Sequence, residues 1–406
     1  MPLHLFEGFG IEIEYMIVSR EDLSILPISD QLLNTASGGI IGDVEFKHTV
    51  WSNELVLHVI EIKTNGPVNA LSKIAPHFQN DVCYINEILK KWNACLLPTG
   101  AHPLMNPDRD TKLWPHDYNA VYEAYHRIFN CKGHGWSNVQ STHLNLPFGS
   151  DDEFSKLHNA IRLLLPIIPA LSASSPILDG RETGMVDARL KMVSQNQARI
   201  PSIAGSVIPE NIGSRREYEE KILAKIYRDI APYDTDDILK HEWLNSRGAI
   251  ARFDRDAIEI RIIDAQECPL ADIAICRLIV ETLKALIFGK WSSRSHDDEW
   301  SEGDLAQIYN AVIHHGGQTM IRDQNYLALF GCAEKRLTVR ELWDHIFHNV
   351  MKKQDDPHYG VLETIINQGS LSERIIRELH GDVSRESITR VYRKLANCLH
   401  TGNLFY

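Results

Sequence analysis

Four short segments of this chain alternate apolar and polar residues at period two, and each of them puts ionisable or polar groups on one face. In GIEIEYMIV, residues 10–18, Ile11 and Ile13 point one way and Glu12 and Glu14 the other. A second β region, roughly 44–63, ends in VIEIKT and the turn Asn65-Gly66-Pro67, with Glu61 and Lys63 on one face. In SNVQSTHLNLPF the shared face carries Ser141, His143 and Asn145. In ARFDRDAIEIRIID it carries Glu259, Arg261 and Ile263, against Ile258, Ile260 and Ile262. A solvated sheet face is the competing reading for any one pair. Together they favour a site, because Glu dominates and its partners are His and Arg. Carboxylates gathered on one surface repel one another and require cations. Hard divalent metals with oxygen ligands and an imidazole suit that set. Glu54 adds a fifth carboxylate, but it lies seven residues before Glu61, so on one regular strand the two face opposite ways unless a bend or bulge intervenes.

Between these strands the spacing predicts a long amphipathic helix over 69–92, a short strand Ala94 to Leu97, the loop GAHPLMNP, and a helix over about 151–165. The stretch PIIPALSASSPILDGRETG is too rich in Pro and Ser for a regular element. A charged helix near 215–231 and a helix at about 269–289 flank the last strong strand. After the polar linker WSSRSHDDEWSEGD the patterns are helical to the end. The expected organisation is α+β: a catalytic domain over 1–290 and a mainly helical part over 291–406. That second part suits either capping the site or pairing copies into a homo-oligomer.

The balance of 42 basic against 54 acidic residues, a net charge of −12, gives no general attraction to nucleic acid or anionic membrane. The opening residues carry no basic segment followed by an apolar one, and no stretch approaches the roughly 20 apolar residues that span a bilayer. Seven scattered cysteines without CxxC spacing read as reduced thiols of a cytoplasmic protein. There is no GxxxxGK[ST] loop, and the early GFG leads into a strand, not a helix. A bound nucleotide must therefore be held by metals and arginines. Arg261, Arg252 and Arg189 are the available guanidinium clamps, with an ordinary surface ion pair the competing reading for the last two. No nucleophile motif stands out. His102, in GAHP, is a further candidate, against the commoner role of a hydrogen-bonded loop histidine.

The motifs GIEIEY, VIEIKT, GAHP, STHLNL, LPIIPALSASSPILDGRETG with Arg189 beyond it, and AIEIRIIDAQE occur in the order found in glutamate–cysteine ligase family 2, the YbdK-like carboxylate–amine ligases. The resemblance covers roughly residues 8–290. It implies a glutamine-synthetase-like catalytic domain: a curved antiparallel sheet with outer helices, and two or three Mg²⁺ between the sheet and the phosphates of ATP, a co-substrate. Carried over by position, it implies Glu12, Glu14, Glu61, His143 and Glu259 as metal ligands, with Glu54 at the acidic position preceding Glu61. Arg261 takes the arginine of E-x-R, facing the phosphates. Glu259, Arg261 and Arg189 form the implied catalytic set, and Arg261 with Arg252 the nucleotide-binding arginines. The sequence departs from the family where H-V-H becomes Ser141-Thr142-His143, and where Ile258 replaces the Thr before the last glutamate.

The implied reaction joins a small-molecule carboxylate to an amine through an acyl phosphate, of the γ-glutamyl type, with glutamate and cysteine or another amine as substrates. Three rivals remain on the residues alone. They are a kinase that stops at the phosphorylated acid, a metal-dependent amide hydrolase needing no nucleotide, and a non-catalytic nucleotide or amino-acid sensor.

Overall fold

The computed structural model describes residues 2–39, 42–291, 300–353 and 356–406; most of the expected polar linker, residues 292–299, lies outside the described residues. Eight strands form one antiparallel sheet: β1 (Gly10–Ser19), β2 (Asp43–Glu45), β3 (Thr49–Asn53), β4 (Val59–Thr64), β5 (Ala94–Leu97), β6 (Ser141–Pro147), β7 (Ala249–Arg252) and β8 (Ala257–Asp264). They run in the order β2-β3-β4-β1-β6-β8-β7, with β5 also paired to β1. The second β region thus resolves into three strands, and the break between β3 and β4 restarts the alternation that a single strand would have imposed.

One face of the sheet is apolar. Ile11, Ile13, Tyr15, Ile60, Ile62, Leu144, Leu146, Ile258 and Ile260 are all buried in a shared core. Each such aliphatic side chain contributes about 1.5–3 kcal/mol by its burial. The helices that cover them include α1 (Ala75–Leu89), α2 (Asp151–Leu164) and α3 (Pro269–Ile287), with α1 and α2 each packed on α3. The predicted helix 69–92 is α1 with a 3₁₀ turn at each end, Leu71–Lys73 and Lys90–Trp92. Asp272 of α3 accepts a hydrogen bond from Thr142 Oγ1 at 2.6 Å, which ties the polar residue on the covered side of β6 to the helix layer.

The predicted alternation fails in one place. Between Ile260 and Ile263 the pairing of β8 with β6 shifts, so Ile263 lies opposite Thr142 and Asp264 opposite Ser141. Ile263 therefore leaves the Glu259 face for the covered side, and Asp264 comes onto the open face. A bulge places two residues against one and reverses every side chain beyond it.

The Pro- and Ser-rich stretch forms a 3₁₀ turn (Leu165–Ile167), a short helix (Pro169–Ser172) and a two-residue hairpin pairing Ile177–Leu178 with Arg181–Glu182. It is covered by the C-terminal helices α4 (Glu302–His315) and α5 (Val339–Val350), the latter donating Trp343 Nε1 to Ile167 O at 2.8 Å. Two further helices, α6 (Leu371–Leu379) and α7 (Arg385–Thr401), bury Leu371, Ile375, Tyr392 and Leu395 against Met16, Val18 and Leu97 of the sheet. Arg374 of α6 closes the arrangement by donating from Nη1 to Glu267 Oε1 and to Phe405 O, both at 2.5 Å. No helix among the described residues is long and apolar enough to cross a membrane.

Candidate active site

The registers decide which polar residues meet. Glu14 lies opposite Glu61, Glu12 opposite both Lys63 and His143, and Glu259 opposite Asn145. The open face of β4, β1, β6 and β8 thus becomes a continuous band of carboxylates, imidazole and amide. At its centre a carboxylate oxygen of Glu12, a ring nitrogen of His143 and a carboxylate oxygen of Glu259 all lie within 4.8 Å of one another. His143 Nδ1 is 3.3 Å from Glu12 Oε2 and 3.7 Å from Glu259 Oε1. Ser141 donates its backbone N–H (2.8 Å) and its hydroxyl (3.0 Å) to Glu14 Oε2, and its oxygen lies 2.9 Å from His143 Nε2. Ser141, at the position where the family carries its first histidine, therefore links Glu14 to His143.

Two clefts meet at this band. The first, of about 390 Å³, contains Glu14, Glu54, His143, Arg189 and Arg261, with Tyr122, Tyr125, Trp136 and Trp243 on its wall. The second, of about 410 Å³, contains Glu12, Lys63, Asn145 and Arg255, with Val50, Pro67 and Pro147 beside them.

Glu54 follows the end of β3 and is off the strand of Glu61, so the parity objection does not apply to it. It joins Glu14 and Glu61 electrostatically. Burial, followed by the charges of Glu14 and Glu61, holds the Glu54 carboxyl well above the usual carboxylate range. Burial and the charge of Glu12 do the same for Glu61, with Lys63 Nζ only 3.3 Å away as a partial counterweight. Burial opposes the charge of Glu12 as well, but the hydrogen bond and charge of His143, with Arg255 and Lys63, bring it down to about 2. Burial disfavours a charged His143, yet Glu12, Glu14 and Glu259 hold its pKa above the ordinary histidine value.

A carboxylate whose pKa is raised on folding takes up protons in the native state. Native stability from that group is greatest below its unfolded pKa and is lost as pH rises toward the folded one. We therefore expect the metal-free protein to lose stability as pH rises from about 4.5, and the Glu61→Gln variant to lose less. Thermal melts of both proteins across pH 4.5 to 8 without metal check this, and parallel curves would refute it. Added Mg²⁺ should raise the wild-type melting temperature most at the alkaline end, where the carboxylates are ionised.

The donor set fits a hard divalent ion: carboxylate oxygens, one imidazole, and the buried Oδ1 of Asn145, which has no hydrogen-bond partner within the protein. Asn145 Nδ2 donates to Glu12 at 3.2 Å, which orients that free oxygen.

Of the three predicted arginines, Arg261 faces the first cleft, with Nε 2.9 Å from Glu259 Oε1 but its N–H not aimed at that oxygen. Arg189 is buried on the same cleft, its Nε paired with Asp264. Arg252 is held differently from the expectation. Its guanidinium is shared between Asp254 (Nη2 to Oδ2, 3.0 Å) and Glu259 (Nη1 to Oε2, 3.2 Å), and it lines neither cleft. Arg255, three residues on in the β7–β8 turn, lines the second cleft instead, 3.7 Å from Glu12. His102 is a loop fastener. It is buried, its Nε2 lies 2.7 Å from Leu23 O and its Nδ1 accepts from Leu104 N, and burial lowers its pKa to about 4.

Sequence reasoning missed Asp264, whose facing depends on the bulge, and Tyr309, which reaches the first cleft from α4. A signal for Asp264 was present in the glycine of GAHP. A Cβ on Gly100 would lie 2.3 Å from the Asp264 carboxyl, so that position has room only for hydrogen.

The chain matches the glutamate-cysteine ligase family 2 over residues 8–394. The chain belongs to that family. It is accordingly a ligase, of the glutamate–cysteine ligase-like carboxylate–amine class, acting on small molecules. An uncharacterized protein of Archaeoglobus fulgidus is 33% identical over 396 residues, 98% of this chain and 99% of that one. A protein of Herminiimonas arsenicoxydans named "Putative glutamate--cysteine ligase 2" is 27% identical over 186 residues, so the alignment spans 46% of this chain and 47% of that one. Among solved structures, the glutamate–cysteine ligase of Francisella tularensis in complex with AMP shares the fold, with a TM-score of 0.62 at 12% identity, covering 99% of this chain and 90% of that one.

Proposed function

We propose that this member of the family is an ATP- and Mg²⁺-dependent ligase that forms an amide through an acyl phosphate, with glutamate as the acid and cysteine or another amine as acceptor. The observation that carries the proposal is the band of Glu12, Glu14, Glu54, Glu61, His143 and Glu259, whose carboxylates are too crowded to ionise together without added positive charge. Two or three Mg²⁺ held by these residues would supply that charge and offset the charge of the ATP phosphates. The fold family supports a glutamine-synthetase-like reading of the sheet, and the AMP bound by the Francisella enzyme supports an adenine nucleotide here.

In this reading the second cleft, whose walls include Val50, Pro67 and Pro147, takes the nucleotide, with Lys63 and Arg255 beside its phosphates. The first cleft takes the acid and the amine. Arg261, poised over Glu259, faces the transferring phosphoryl group, and Arg189 faces the acid. The acid's carboxylate oxygen bonds to the γ-phosphorus as the bond to ADP breaks. The amine nitrogen then displaces phosphate and gives up its proton. Positioning and fixed charge supply the catalysis, which explains a site without a covalent nucleophile. Seven free cysteines support the cytoplasmic location expected above.

The test is ADP release by the full chain with Mg-ATP, candidate acids and hydroxylamine, a minimal acceptor, followed by product mass. A hydroxamate and ADP in equal amounts are expected. Amide cleavage without nucleotide would replace this reading with a hydrolase, and ADP formed without any acyl product would replace it with a kinase.

A further inference from the structure

A small hollow stands away from the carboxylate band, where α7 docks against β5 and α1. It encloses about 170 Å³, and its walls include Arg20, Asn86, Cys95, Arg393, Asn397 and His400 but no acidic side chain. Arg20 directly follows β1. At about 3.3 Å per strand residue it stands about 20 Å from Glu14, so the hollow is separate from both clefts.

The walls are fixed by contacts between elements distant in sequence. Gln79 of α1 donates from Nε2 to Leu399 O at 2.9 Å and to His400 O at 3.1 Å, which holds the last turn of α7 on α1. Asn86 forms a buried floor, 2% exposed, and its Oδ1 accepts from Leu96 N of β5 at 2.9 Å. Its amide nitrogen reaches only His400 Nδ1, at 3.5 Å, and so keeps one of its two N–H groups uncommitted.

The two guanidiniums are positioned by backbone carbonyls, not by carboxylates. Arg20 Nε donates to Ala94 O at 2.8 Å, and Arg393 Nη2 donates to Glu21 O. A neutral carbonyl orients a guanidinium and leaves its charge in place. The neighbours on α7 are neutralised, since Arg390 Nη1 and Lys394 Nζ pair with Glu378 at 3.2 and 2.5 Å. In a chain of net charge −12, two arginines on one hollow without an acidic partner among the described residues are a retained positive site.

Converging donors without an acid select an anion. One guanidinium already answers both oxygens of a planar carboxylate, whereas two guanidiniums, an amide and an imidazole around one space suit the oxygens of a tetrahedral anion. The hollow is smaller than the roughly 300–1,000 Å³ of ordinary small-molecule pockets, so it encloses a single such group. A neighbouring hollow of about 450 Å³ shares Arg393 and Asn397 and continues to Leu404 and Phe405, which leaves room for an organic remainder.

We propose that Arg20, Asn86, Arg393 and His400 form a binding site for a phosphate-class oxyanion, either free phosphate or the terminal phosphate of a small molecule, at the seam where α7 docks on the sheet. The assignment is independent of the ligase reading.

Isothermal titration of the full chain with inorganic phosphate, in a buffer of low ionic strength without Mg²⁺ or nucleotide, tests the site. Wild-type protein should bind one phosphate, and added sodium chloride should weaken it. Arg20→Gln and Arg393→Gln should each weaken phosphate roughly tenfold, the scale of one charged hydrogen bond, and the double variant should lose it. Both arginines are exposed, so these variants should keep the wild-type melting temperature in the absence of phosphate. Arg261→Gln, on the first cleft, should bind phosphate as the wild type does. Phenyl phosphate binding more tightly than phosphate would support a phosphorylated small molecule as the ligand, and weaker binding would support free phosphate. No phosphate binding to the wild type, equal binding by the double variant, loss of binding in Arg261→Gln, or acetate binding as tightly as phosphate would each overturn the proposal.

Discussion

Replacing Glu259 or Glu12 by glutamine should lower Mg-ATP turnover by roughly a thousandfold or more, because each change removes several kcal/mol of fixed charge stabilisation at about 1.36 kcal/mol per tenfold in rate. Glu259 is the more sensitive position. Its carboxylate lies 3.7 Å from His143 Nδ1, 3.2 Å from Arg252 Nη1 and 2.9 Å from Arg261 Nε, so it joins the proposed metal ligands to the arginine on the first cleft. Glutamine keeps the shape, so the variant should fold. The signature is a loss of both Mg²⁺ affinity, read by calorimetry, and ADP release, with the circular dichroism spectrum unaltered. Wild-type turnover in both variants would remove the metal-site assignment.

Asp264→Asn should unfold the protein at a much lower temperature, with a stability loss of about 3–5 kcal/mol, the range for breaking a buried ion pair and leaving one charge without compensation. The pair is fully enclosed, with Asp264 0% and Arg189 4% exposed at the side chain. Asp264 Oδ2 also accepts from Ser174 N and Ser175 Oγ, both at 2.8 Å, so the same carboxylate fastens the Pro- and Ser-rich stretch to the sheet. Gly100→Ala should act through the same contact, since its new methyl would collide with that carboxylate. Denaturant titration measures both. Stabilities within about 1 kcal/mol of wild type would show that Arg189 finds another partner and that the pair does not anchor the cleft.

Much of the site was legible in the linear chain because strand alternation is local. Glu12, Glu14, Glu61, His143 and Glu259 each stand at a period-two position, and each emerges on the open face. The identity of the band also shows in its composition, since a solvated face rarely alternates Glu with Ile so strictly. Arg252 lies outside both clefts for a related reason. Its position on β7 is correct for facing Glu259, but Asp254, two residues on, occupies its guanidinium, and a side chain's partner within a turn is not visible in alternation.

The chain by itself therefore determined which residues face the site, since that depends only on parity within each strand and on the apolar positions that pull one face onto the helices. The tertiary structure alone decided what depends on pairing across the fold. The β8 bulge, set by register against β6, turned Asp264 inward to meet Arg189. The break between β3 and β4 freed Glu54 from the parity of Glu61. The docking of α4 brought Tyr309 to a cleft whose other walls come from residues between Glu14 and Ile262. Register, bulges and helix docking are chosen by contacts distant in sequence, so no local pattern records them.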